Sequence, residues 1–161
     1  MLKIFLSLGT NIGNKLANLS TAIAKIEKNI GHINQQSGVY ETEAWGFKSE
    51  SDFLNQVIMV ETSLTPLQLL QCCLEIERSM GRERKQSGNY ESRIIDVDIL
   101  FYGDSIVNEE KLRIPHPLLE KRRFILEPLN EIAPDFIHPV MEKSITKLLE
   151  ECTDTGVVKV F

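Results

Sequence analysis

Residues 93–102 read Arg-Ile-Ile-Asp-Val-Asp-Ile-Leu-Phe-Tyr. The β-branched and aromatic content predicts a strand over Ile94–Tyr102, turning at Gly103-Asp104. Two earlier runs have the same character. Lys3–Leu8 stops at Gly9-Thr10-Asn11, and Phe53–Thr62 carries Leu54, Val57, Ile58 and Val60. Between them the period changes from Asn14 onward. Leu16, Leu19, Ile23 and Ile26 recur at three- and four-residue steps, the pattern of an amphipathic helix. Asn14 is placed to cap it, and Asn29-Ile30-Gly31 supplies a C-terminal glycine signal. Ile33–Glu43 reads as extended, followed by a loop around Trp45-Gly46. Thr65-Pro66 opens a second helix, because proline is tolerated at the first helical position. Leu67, Leu70, Leu74 and Met80 are expected on its apolar side, with Gly81 closing it.

Strand, helix, extended segment, strand, helix, strand is the βαββαβ order. It predicts an α+β fold with a ferredoxin-like core: a mainly antiparallel sheet with helices packed on one face. The Pro-punctuated remainder leaves room for short helices at Leu126–Glu131 and Ser144–Cys152 and a last strand at Val157–Val160. No repeat or linker divides the chain, so residues 1–161 are expected to form a single domain.

The 161 residues, 42% of them apolar and 25% charged, suffice for one self-supporting core. The 18 basic and 23 acidic residues, a net charge of −5, argue against a general nucleic-acid binder. Three cysteines (Cys72, Cys73 and Cys152) are an odd set without a CxxC pair. That argues against a disulfide framework or zinc site and for a reducing compartment. The N-terminal apolar run is too short for a signal peptide, and no stretch approaches a membrane span. The expectation is a cytoplasmic monomer with neither membrane nor nucleic acid as partner.

Within the Ile94–Tyr102 run, Asp96 and Asp98 project to one side of the strand while Ile95, Val97 and Ile99 face the other. Their Cβ atoms are expected roughly 7 Å apart, a separation that can bracket two Mg²⁺ ions held about 4 Å apart. The bland alternative is a solvated face of an edge strand. The loop before it, Arg82–Ser92 together with Arg93, is net positive in an acidic chain: Arg82, Arg84, Lys85 and Arg93 against Glu83 and Glu91. Arginine forks suit phosphate oxygens, so the neighbourhood points toward a metal–polyphosphate site. The segment Gly9–Lys15 is not a Walker A loop, since its second glycine comes one residue early and no Ser or Thr follows Lys15. Phe53 and Phe124 on their own read as core residues. His116, between Pro115 and Pro117, is either a packing imidazole or a phosphate donor.

Taken together, these motifs resemble the 6-hydroxymethyl-7,8-dihydropterin pyrophosphokinase family. The likeness runs from Ser7-Leu8-Gly9-Thr10-Asn11-Ile12-Gly13 through Tyr40-Glu41-Thr42, Phe53-Leu54-Asn55 and Ile76-Glu77. It continues through Gly81-Arg82, Arg93-x-x-Asp96-Val97-Asp98-Ile99-Leu100, Ile114-Pro115-His116-Pro117 and Arg122-x-Phe124. The resemblance implies Mg²⁺-dependent transfer of pyrophosphate from ATP to the pterin hydroxymethyl group, with AMP released, in folate biosynthesis. It implies that Asp96 and Asp98 ligate two Mg²⁺ ions and that Phe53 and Phe124 stack the pterin. Thr42 and Asn55 match positions that read the pterin's pyrimidine edge, with Glu43 and Trp45 beside them. Glu77, Arg93 and His116 match nucleotide-site positions, and Lys111 and Ile99 match positions near ribose or adenine. Arg82, Arg84 and Arg122 match basic residues that reach substrate or phosphates, Arg82 and Arg93 with catalytic roles. The chain departs from the family pattern at Asn89-Tyr90-Glu91-Ser92, where a basic residue, Trp, Gly and Pro are usual.

Two rival readings remain at this point. A nucleotidyltransferase could use the same aspartates but would release pyrophosphate. A ferredoxin-like RNA-binding module would need a basic face and strand aromatics, and neither is evident in the sequence.

Overall fold

The computed structural model describes residues 1–42, 52–81 and 94–161. In chain order these form β1 (Leu2–Thr10), α1 (Lys15–Asn29), β2 (Gly31–Gln36), β3 (Tyr40–Thr42), β4 (Phe53–Thr62) and α2 (Pro66–Ser79). Then follow β5 (Asp96–Tyr102), β6 (Val107–Asn108), β7 (Arg113–Ile114), α3 (Arg123–Ile132), α4 (Ile145–Glu151) and β8 (Val158–Val160). The main sheet runs β5-β1-β4-β3-β8, with β2 also pairing β4, and all its pairings are antiparallel. The strands of the expected core thus lie in the order β5, β1, β4, β2, the arrangement the βαββαβ order predicts.

Local chemistry sets most boundaries. Asn14 caps α1 by accepting from the Ala17 N–H at 3.1 Å. Thr65 and Gln68 form a reciprocal capping box at the start of α2, with Pro66 at its first position. Ser144 caps α4. Gly31 departs from the sequence reading: it does not close α1 in a left-handed turn but begins β2. A Cβ there would lie 1.9 Å from the Glu61 carbonyl oxygen, so the glycine is required by close strand approach.

The expected apolar side of α2 is rotated in the structure. Leu69, Cys73 and Ile76 are its buried apolar residues, whereas Leu67 is 51% exposed and Leu70 is half-buried. Leu16 of α1 is likewise exposed, the stripe running through Leu19, Ala22 and Ile26. In both helices the buried stripe uses small or sulfur-bearing residues where they meet the sheet, which a leucine count overlooks.

Helices α1 and α2 cover one face of the sheet over Ile4, Leu6, Leu8, Ile58 and Val60. The expectation that helices occupy only that face holds for this pair alone. Helices α3 and α4 cover part of the opposite face, over Phe5, Val57, Leu100 and Phe101. The side-chain alternation along β5 breaks at a bulge between Ile99 and Phe101. Phe5 pairs with Phe101 but Leu6 with Ile99, which brings Phe101 into the same cluster as Leu100. Phe101 there meets Phe136 at 4.6 Å between ring centroids and, edge-on, His138 at 5.5 Å.

Helix α3 starts three residues earlier than expected and contains Pro128. Its far end is tied to the strands: Glu131 accepts from the Gly38 N–H at 2.9 Å and the Tyr40 hydroxyl at 2.5 Å. Burial and this carboxylate push the Tyr40 phenol up to about 12. Among the described residues no helix is long and apolar enough to cross a membrane.

Candidate active site

The C-terminal helices leave one end of their sheet face open, and the polar residues gather there. Directly opposed residues in an antiparallel sheet share a face. Gly9 of β1 pairs with Asp96 of β5 on one side and with Asn55 of β4 on the other, while Ser7 pairs with Asp98. Asp96, Asp98 and Asn55 therefore project to the same side, the side away from Ile95, Val97 and Ile99. Gly9 keeps the floor between them clear. A Cβ on Gly9 would come within 3.3 Å of Asn55 Oδ1 and 3.8 Å of the Phe53 ring.

Beyond Asn55 the row continues onto β3. Asn55 and Thr42 are both buried, and the Asn55 amide donates to Thr42 Oγ1 at 2.8 Å. Phe53 pairs with Thr42 and is partly exposed on the same face. Phe124, also partly exposed, stands in the first turn of α3, with the buried Arg122 guanidinium 5.8 Å from its ring centroid.

At the free side of β5 lies a cleft of about 490 Å³. Helix α2 contributes Leu70, Leu74 and Glu77 to its wall. The stretch after β5 contributes Lys111, Arg113, His116 and Arg122, with Asp96, Asp98 and Ile99 at its floor. Glu77 is 4% exposed, and its Oε2 accepts the N–H of Val97, the residue between the two aspartates, at 2.8 Å. His116 is fixed on both sides. Its backbone N–H donates to the Leu100 carbonyl, and its Nδ1 accepts from the Leu118 N–H at 3.2 Å. Burial, reinforced by the Arg122 charge and opposed by Asp96, lowers its pKa to about 4. At neutral pH the ring is uncharged with its proton on Nε2, which leaves Nε2–H as a neutral donor.

The cleft thus brings together Glu77, Asp96, Asp98, Ile99, Lys111, His116 and Arg122 from the sequence reading, while Thr42, Phe53, Asn55 and Phe124 lie outside its lining. Arg82, Arg84, Arg93, Glu43 and Trp45 lie outside the described residues, as does the Asn89–Ser92 departure. Leu70, Leu74 and Arg113 were not foreseen as site residues. The spacing of Leu70, Leu74 and Glu77, four and three residues apart on one helix face, was the available signal. His138 plays a structural part, its Nδ1 accepting from the N–H groups of Val140 and Met141. Burial pushes the Cys73 thiol far up, so it is no candidate nucleophile.

The donor set fits Mg²⁺. Two carboxylates supply hard oxygens on one strand face, and among the described residues no group of three or more His, Cys, Asp or Glu forms a closed cage. An incomplete carboxylate pair suits an ion that draws its remaining ligands from water and phosphate.

Residues 5–134 match the family model described as 7,8-dihydro-6-hydroxymethylpterin-pyrophosphokinase (HPPK). The chain belongs to this family. It is 40% identical over 153 residues to a 2-amino-4-hydroxy-6-hydroxymethyldihydropteridine pyrophosphokinase of Aquifex aeolicus, an alignment covering 95% of this chain and 94% of that protein. It is 35% identical over 161 residues to the protein of the same name in Methylorubrum extorquens, with 99% of each covered. The folic acid synthesis protein fol1 of Schizosaccharomyces pombe is 36% identical over 154 residues, covering 95% of this chain but only 21% of the longer relative. Among solved structures, wild-type Plasmodium falciparum HPPK-DHPS with SDX-DHP superposes with a TM-score of 0.76 at 22% identity, covering 94% of this chain and 43% of that one. That likeness shows the shared fold. As an HPPK family member the chain is an enzyme, a pyrophosphokinase.

Proposed function

We propose that residues 1–161 act as one domain that transfers the β,γ-pyrophosphoryl group of ATP to 6-hydroxymethyl-7,8-dihydropterin, releasing AMP, in folate biosynthesis. The hydroxymethyl oxygen attacks the β-phosphorus and loses its proton. The bond from that phosphorus to the α,β-bridging oxygen breaks, and AMP departs with the electron pair. The observation that carries this reading is the Asp96–Gly9–Asn55 row. It sets the aspartate-bearing strand and the Asn55-bearing strand about 10 Å apart, two strand spacings, with Gly9, which has no side chain, between Asp96 and Asn55.

Each residue has a part. Asn55 and Thr42, fixed by their mutual hydrogen bond, present the remaining amide and hydroxyl capacity to the pterin edge, and buried polar groups of this kind orient a ligand as well as bind it. Phe53 and Phe124 offer flat faces for the ring. The Nε2–H of His116, with Arg122, Lys111 and Arg113, gives the polyphosphate donors and positive charge. Leu70, Leu74 and Ile99 offer an apolar surface to the base. Asp96 and Asp98 would hold two Mg²⁺ ions, and Glu77 fixes the strand between them. When bound, the metal neutralises phosphate charge and eases loss of the alcohol proton. Arg82, Arg84 and Arg93 are proposed to close over the phosphates, and Glu43 and Trp45 to flank the pterin.

A monomeric active unit is part of this proposal. Three free cysteines support a reducing, cytoplasmic setting. Incubation with ATP, Mg²⁺ and the dihydropterin, followed by nucleotide separation, tests the reaction. AMP should appear in equal amount to diphosphorylated pterin. Free pyrophosphate with adenylylated pterin would replace the reading with nucleotidyl transfer, and absence of pterin-dependent turnover would overturn it.

A further inference from the structure

The segment after α4 lies beyond the stretch that matches the family model, yet it touches both elements that carry the pterin residues. At one end is Asp154. Helix α3 begins at Arg123, and its N-cap residue Arg122 makes no side-chain cap. The cap comes instead from far along the chain: Asp154 Oδ2 accepts the Arg123 N–H at 3.1 Å. The other carboxylate oxygen accepts the Gly156 N–H at 2.8 Å, so one side chain joins the turn of the tail to the start of the helix. The Arg123 side chain closes the joint by donating to the Asp154 carbonyl at 2.8 Å and the Cys152 carbonyl at 3.4 Å. At the other end, β8 pairs with β3, Val158 lying opposite Thr42, and the Phe161 N–H donates to the Val39 carbonyl.

From this geometry we propose that the Cys152–Val160 tail is a strap that sets the spacing of the pterin site, with Asp154 as its positioning residue. It fixes the first turn of α3, which carries Phe124, with Arg122 at its N-cap, relative to β3, which carries Thr42. The proposal rests on the assignment of Phe124 and Thr42 to the pterin. Removal of the carboxylate frees an N–H at a helix start, where an anion is also favoured by the helix dipole. The far end of α3 stays tied through Glu131 to Gly38 and Tyr40. The expected result is a loosened first turn on an otherwise intact fold, felt more by the pterin than by the nucleotide, because Arg122 shares the polyphosphate with His116, Lys111 and Arg113, which lie off that helix.

The test titrates 6-hydroxymethylpterin, and separately a non-hydrolysable ATP analogue with Mg²⁺, into wild type, Asp154→Ala, Asp154→Asn and Phe124→Ala. Asp154→Ala should raise the pterin Kd about three- to tenfold, the usual scale of a lost cap, and leave the analogue Kd within about twofold. Asp154→Asn, whose amide oxygen still accepts, should recover most of the loss. A wild-type pterin Kd in Asp154→Ala overturns the proposal, as does equal weakening of both ligands. Phe124→Ala separates the two levels: unchanged pterin affinity there removes the underlying site assignment, whereas a weakened Phe124→Ala beside a normal Asp154→Ala removes the strap alone. Should Asp154→Ala fail to fold, Arg123→Lys takes its place. It keeps the backbone donor and loses the guanidinium bonds, with a rise of about threefold expected from their loss and an unchanged Kd overturning the strap.

Discussion

Glu77 occupies an unusual position, since its carboxylate is buried in the wall of the cleft and also holds the strand that carries Asp96 and Asp98 by the Val97 N–H. Replacing it with alanine leaves that N–H inside the protein without its 2.8 Å acceptor. A hydrogen bond to a charged group contributes about 1.5–3 kcal/mol. In a domain of this size each kcal/mol moves the midpoint by about 2–4 °C, so Glu77→Ala should lower Tm by roughly 3–12 °C. Glu77→Gln keeps an acceptor of the same reach and loses only the charge assistance, about half the strength, so its Tm should fall by roughly half as much. Both variants should need more Mg²⁺ for half-maximal AMP formation, alanine the more, because Val97 lies between Asp96 and Asp98. Thermal unfolding and a Mg²⁺ titration of turnover read the two effects. A Glu77→Ala Tm within about 1 °C of wild type would refute the strand-holding role, for the cost of an orphaned buried donor is larger than that.

Asp98→Asn should cut turnover by orders of magnitude without altering the fold, and wild-type activity at limiting Mg²⁺ would remove its ligand role. His116 has its pKa lowered from 6.5 to about 4, so its contribution to stability is present above pH 6.5 and is lost as the pH falls toward 4. Burial gives His138 a shift of the same sign. Urea unfolding of His116→Gln should show a flatter decline across that window, and an unchanged slope would contradict a buried neutral ring. Gly31→Ala should destabilise by about 1–3 kcal/mol or more, because the obstructing Glu61 atoms are backbone and have no rotamer to adopt. Gly31 sits at the opposite end of β4 from Asn55, so turnover at low temperature should persist. A melt matching wild type would show that the strands can part.

Where one signal dominates, the sequence was sufficient. The strand Phe53–Thr62 appears with the boundaries its apolar run indicates. Asn14, Thr65 and Ser144 cap their helices, as short polar side chains ahead of apolar periodicity should. The same-face placement of Asp96 and Asp98 followed from strand periodicity alone. Other features depend on partners distant in the chain. The early start of α3 depends on a carboxylate that follows it by a whole helix. The rotation of α2 depends on which of its residues meet the sheet: Leu69 and Cys73 do, and Leu70 faces a cleft. The function of Gly31 is set by the Glu61 backbone across the strand pair, and a glycine after a helix gives no sign of which use it serves.

Strand β1 lies between β5 and β4 and is the earliest of these elements in the chain, yet both its partners come later: β4 after a helix and two strands, β5 after a further helix. Pairings between segments so far apart in sequence must close long loops before they are rewarded, which slows folding relative to local contacts. Until Asp96–Tyr102 has emerged, Leu6 and Leu8 lack one of their two neighbouring strands, and Ser7 and Gly9 face no aspartates. The aspartate pair and the last strand of the core beneath α1 and α2 are therefore added to the sheet by the same late event, the arrival of β5. A nascent chain stalled before that strand would carry an exposed, strongly apolar sheet edge, open to pairing with other chains. Folding yield in the cell should consequently depend on how promptly residues 96–102 follow those before them.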